Sequence, residues 1–86
     1  MPEVSRFSGI VIMIYYKDHN PAHFHAKYGE QTGVFTIDDL RLIEGYLPER
    51  IASLTIEWAF EHRKELMENW ELAMAKKPLR CISRKG

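Results

Sequence analysis

The sequence predicts a two-layer α+β domain in which a small antiparallel sheet of three to four strands packs against one long C-terminal helix, followed by a short basic tail. Three observations predict it. The first half carries short runs of β-branched and aromatic residues, residues 48 to 75 repeat their apolar side chains at helical period, and cations crowd the segment 76–86. Eighty-six residues leave room for one core, so the chain reads as a single domain over 1–86: a β-rich part with a histidine turn (1–46), a long helix (47–75) and a basic tail (76–86). With 45% apolar and 28% charged residues, the disordered and fibrous classes are excluded.

Gly9 to Lys17 holds the apolar run Ile-Val-Ile-Met-Ile-Tyr-Tyr, which is short for a helix and rich in strand formers, and so predicts a central strand. Asp18 to Ala22 reads as a turn, because Pro21 fixes its own φ and biases Asn20 away from helix. His23 to Tyr28 then alternates as a strand, projecting His23 and His25 from one face and Phe24, Ala26 and Tyr28 from the other. Gly29-Glu30-Gln31 is a hairpin loop, Thr32 to Ile37 a third strand, and Leu40 to Glu44 a short fourth strand before Gly45.

Leu47-Pro48 opens the helix, with Pro48 in the first turn and Glu49 at the positive end of the dipole. Ile51, Thr55, Trp58, His62, Leu66 and Ala73 fall on one stripe, while Ile56, Phe60, Met67, Trp70 and Met74 form a second apolar arc. One face covers the sheet. The surplus arc calls for a second contact, with a protein partner, with the C-terminal arm or across a homodimer, which makes Phe60, Met67 and Trp70 candidate partner-binding residues.

Net charge is zero but unevenly placed: residues 1–75 hold seven basic and all 12 acidic residues, a balance of −5, and the five tail cations restore neutrality. Lys76, Lys77 and Arg80 are candidate contacts to an acidic partner or to nucleic acid, as are Arg84 and Lys85; the plainer alternative is a tail folded back on the chain's own acidic helix. No apolar run approaches the roughly 18 to 20 residues that span a bilayer, and no secretory leader is recognisable, so no membrane role and a cytoplasmic location are expected. The one cysteine, Cys81, makes neither an internal disulfide nor a cysteine-pair zinc site.

Chemistry concentrates in Asp18-His19-Asn20-Pro21-Ala22-His23-Phe24-His25, which holds three of the four histidines. His23 and His25, joined by His19 or Asp18, supply a ligand set for a divalent metal such as zinc. Alternatively, the imidazoles of His23 and His25, together with His62 if the fold brings the helix stripe to them, are candidate catalytic groups for metal-free acid–base hydrolysis of a phosphodiester. Lys17, Lys27 or Arg63 would then hold the phosphate, although the acidic core opposes a polyanion. Serine elbows, P-loops and dinucleotide fingerprints are absent from the sequence. The plainer reading gives His19 a turn cap, His62 a hydrogen bond inside the helix–sheet interface, and His23 and His25 a solvated face.

Pro2 to Phe7, the block Asp18 to Ala26, and the helical segment Glu57-Trp58-Ala59 through His62-Arg63-Lys64-Glu65-Leu66 to Asn69-Trp70 together resemble the small bacterial family called domain of unknown function 4160. The resemblance covers nearly the whole chain, with Ala22 standing where the family usually has a second proline. It implies a small α+β fold and, from gene arrangements that look like toxin–antitoxin pairs, a partner-binding or regulatory role. Asp18, His23, His25, His62 and Trp70 match the family motif, and none brings a catalytic role with it.

Overall fold

The computed structural model of the protein describes residues 2–82. Among them five strands run in sequence order: β1 (Glu3–Phe7), β2 (Ile10–Met13), β3 (His23–Tyr28), β4 (Gln31–Thr36) and β5 (Leu42–Gly45). Each pairs antiparallel with its sequence neighbours, giving the order β1-β2-β3-β4-β5. Two helices follow, α1 (Glu49–Glu61) and α2 (Arg63–Met74). The α+β class stands as expected, and two of its details are corrected.

The sheet has five strands rather than three to four, and β1 is the addition. A register shift between Glu3 and Ser5 lets the consecutive residues Val4 and Ser5 both turn inward, at 1% and 4% exposure. A bulge of this kind removes the period-two signal by which a strand is recognised. The turn into β2 uses Ser8 and Gly9, both at positive φ as a type I′ hairpin requires.

The expected single helix is two, and His62 divides them. In an unbroken helix the His62 N–H would donate to the carbonyl of Trp58. Here the His62 side chain takes that carbonyl, Nδ1 to O 2.8 Å, and the backbone N–H donates instead to Ala59 at 3.1 Å. The residue sits at φ −123°, ψ 23°, outside helical geometry. A side chain competing for a helix carbonyl has ended the ladder for one residue. The 3.6 period survives this break: Ile51, Thr55, Trp58, Leu66 and Ala73 are all buried as the stripe predicts.

The sheet sends Ile10, Ile12, Phe24, Ala26 and Phe35 into one core, where Ile51, Trp58, Ala59, Leu66, Trp70 and Ala73 of the helices meet them. Phe24 and Phe35 are cross-strand partners with ring centroids 5.5 Å apart, and Phe7 stacks on Trp58 at 5.0 Å. Phe24 and Phe35 are fully buried, and each contributes roughly 1.5–3 kcal/mol. The indole Nε1 of Trp58 is buried without a hydrogen-bond partner among the described residues.

The chain beyond α2 folds back as far as it is described. Buried Asn69 holds both backbone groups of Arg80, donating from Nδ2 to its carbonyl at 2.9 Å and accepting its N–H at 2.7 Å. Ile82 N–H donates to Val4 O at 2.7 Å, and Ser5 Oγ donates to Ile82 O at 3.0 Å. Lys76, Lys77 and Arg80 thus belong to a segment docked on the domain, while Arg84 and Lys85 lie outside the described residues. No helix among the described residues is long and apolar enough to cross a membrane.

Candidate functional site

Because β3 keeps a strict two-residue alternation, Phe24 and Ala26 are fully buried and His23 and His25 project to the other face. The segment linking β2 to β3 crosses that face, and its Asn20–Pro21 bond is cis. It delivers Asp18 to both histidines at once: Oδ2 lies 3.0 Å from His23 Nε2 and 3.2 Å from His25 Nε2. The Nδ1 of His23 is 2.7 Å from the carbonyl oxygen of Pro21, which can only accept, so that nitrogen carries a proton. Tyr15 sets its ring edge-on to His25 at 4.6 Å, and Trp70 lies 5.1 Å from His23. The side chains of His23, His25 and Asp18 keep 12, 20 and 25% of their surface in solvent, so the cluster is sheltered yet reachable.

Of the predicted ligands, Asp18, His23 and His25 come together within 4.8 Å of one another. Neither His19 nor His62 joins them. His19 is exposed in the turn, and His62 stacks on Trp58 at 4.7 Å with Nδ1 engaged by the Trp58 carbonyl. The helical residue that reaches the strand histidines is Trp70, about two turns beyond His62, the one expected in sequence to do so.

Beside the cluster, the turn and α2 enclose an open groove of about 700 Å³ lined by Asn20, Pro21, Ala22, Asp38, Met67, Trp70, Glu71, Met74 and Ala75. Met67, Trp70, Met74 and Ala75 supply its apolar surface, its charged lining residues are the acids Asp38 and Glu71, and Arg63 donates to the Asp38 carbonyl at 2.7 Å. Met67 is half-buried in this groove, Trp70 is buried at its base, and Phe60 lies on the outer surface of α1 with 66% of its area exposed. Lys76, Lys77 and Arg80 are exposed on the docked C-terminal segment.

Three contributors are absent from the site that the sequence predicts. Tyr15 reads as part of the β2 run, but the strand ends at Met13 and leaves Tyr15 on the crossing segment. Pro21 contributes its carbonyl to His23, which no side-chain pattern announces. Glu71 shares the i, i+4 face of Met67 and was open to discovery by spacing.

A family profile described as domain of unknown function (DUF4160) matches residues 9–71. The chain belongs to the DUF4160 family. No curated protein and no solved structure matches it. The DUF4160 match takes in Asp18, His23, His25, His62 and Trp70, and it leaves out β1 and the docked segment that pairs with it. The histidine cluster and the base of the groove are therefore carried by the DUF4160 portion itself.

Proposed function

We propose that this DUF4160 protein is a small cytoplasmic binding module, the regulatory half of a toxin–antitoxin-like gene pair, and that it recognises a basic, apolar-flanked segment of its partner. The groove between the histidine turn and α2 carries this reading. Methionine side chains such as Met67 and Met74 adapt to a partner's shape. Asp38 and Glu71 are the charged residues of the groove lining, so an arginine or lysine with apolar neighbours suits it. The test is co-expression with the product of the adjacent gene, followed by a solution-mass measurement and titration of the complex. Glu71→Lys and Met74→Asp should each weaken association at least tenfold; a complex indifferent to both has its interface elsewhere.

A second reading, a small histidine-dependent hydrolase or ribonuclease, is favoured by one observation: two imidazole Nε2 atoms share a single carboxylate oxygen at the surface. It predicts cleavage of RNA or a model phosphodiester that disappears in His23→Ala and His25→Ala. Activity that persists in both variants rejects it.

A further inference from the structure

We infer that Asp18, His23 and His25 form a binding site for a divalent transition-metal ion of the zinc class, with three protein donors and an open side. His23 is held in one orientation. Its Nδ1 proton is committed to the Pro21 carbonyl, so in the neutral ring Nε2 presents a lone pair. That lone pair faces a carboxylate oxygen 3.0 Å away, and His25 Nε2 approaches the same oxygen at 3.2 Å. A hydrogen on His25 Nε2 makes the second contact an ordinary hydrogen bond and a proton on His23 Nε2 makes the first an ion pair, whereas one metal ion between the three atoms satisfies both contacts at once.

The spacing suits zinc. Nitrogen and oxygen donors about 2.0–2.1 Å from a tetrahedral ion stand about 3.3 Å from each other. Two edges of the donor triangle are already at 3.0 and 3.2 Å, and the whole set lies within 4.8 Å. The surroundings match what a bound metal needs. The Pro21 carbonyl fixes the tautomer and orientation of His23, as an outer-shell partner of a ligating histidine does. Tyr15 and Trp70 pack against the two rings and give the site apolar walls, while the exposed fraction of Asp18 leaves an entry path. Two imidazoles with one carboxylate are borderline donors that select zinc and its neighbours over magnesium or calcium. The site goes beyond the partner-binding reading and does not depend on it.

The experiment is a calorimetric titration of the metal-free full-length protein with Zn²⁺, with Mg²⁺ as the comparison, read alongside histidine ring ¹⁵N resonances. One Zn²⁺ per chain at a micromolar or tighter dissociation constant is expected, with no response to Mg²⁺. The Nε2 resonances of His23 and His25 should move together, and those of His19 and His62 should stay in place. His25→Ala and Asp18→Asn should each weaken Zn²⁺ binding by at least the roughly 10- to 100-fold that loss of an outer-shell partner brings. Cys81→Ser should bind like the parent, which separates this site from adventitious thiol binding. Amide spectra establish that each variant is folded, and Asp18→Asn, which keeps the shape of the side chain, serves if a histidine variant is not. Binding that survives Asp18→Asn and His25→Ala unchanged, or Nε2 resonances that move independently, overturns the proposal.

Discussion

The Nδ1 of His62 lies 2.8 Å from the carbonyl oxygen of Trp58, and at that bond one helix becomes two. Leucine at this position has good helix propensity and no donor to compete with the backbone. In His62→Leu the N–H of residue 62 should return to the Trp58 carbonyl, giving helical ¹³Cα shifts across 61–63 and slower exchange of the residue 62 amide. Unchanged shifts would mean that packing, rather than the side-chain bond, imposes the break.

Gly45 is at φ +80°, and a Cβ built there would run into the backbone carbonyl of Thr32. Both strain and collision are backbone effects that no rotamer relieves. Gly45→Ala should cost about 2 kcal/mol or more in denaturant unfolding, whereas Gly29→Ala, at φ +63° with open space around it, should cost about half that. Equal losses would show that the Thr32 contact is unimportant.

Leu66 is fully buried in the core. Truncation leaves a cavity as well as lost transfer energy, so Leu66→Ala should destabilise by about 2–5 kcal/mol. A loss under about 1 kcal/mol would indicate that α2 shifts to fill the space.

Buried Asn69 satisfies both backbone groups of Arg80. Asn69→Ala leaves that N–H and carbonyl without their partner, a loss of about 2–3 kcal/mol. The informative readout is local: the Ile82 amide, which donates to Val4, should exchange many-fold faster. If it does not, the segment is held by the Ser5 and Val4 bonds alone.

The Thr36 hydroxyl donates to the Asp39 carboxylate and, with a smaller effect from Arg41, holds its pKa below the ordinary carboxylate value. A depressed folded-state pKa gives stability that is present above the unfolded value and lost as pH falls through the folded one. Compared with Asp39→Asn, the parent should therefore gain its advantage at neutral pH and lose it only below about pH 3.9. A difference that is flat down to pH 2 in urea titrations would remove the carboxylate from this role.

Sequence and structure part company where the signal resides in three dimensions rather than in spacing. The alternation of His23, Phe24, His25 and Ala26 was readable because a strand's period is two, and with it came the common face of both histidines and the place of Asp18 in the turn before them. β1 was hidden because its bulge buries Val4 and Ser5 in succession. The helix break was hidden because one residue leaves the ladder without disturbing the apolar stripe around it. His62 sits on the core-facing stripe, yet the bond and stack it makes to Trp58 keep it from the strand histidines, and Trp70 takes that place. Helical phase alone does not tell which of two residues about two turns apart reaches a given strand end.

The strict sequence order of the five strands also bears on how quickly the chain finds its fold. Each strand's partner is the one made just before or after it, and two of the four connections are two-residue turns. Closing such short loops costs little entropy, so the meander can grow outward from its β1–β2 or β3–β4 hairpin, and topologies of low contact order reach the native state fastest. The bonds from Ile82 to Val4 and Ser5 are the opposite kind of contact, since they join residues from distant parts of the chain. They gain only after the sheet edge exists to receive them, which makes docking of the C-terminal segment the closing event of folding and the first to reverse.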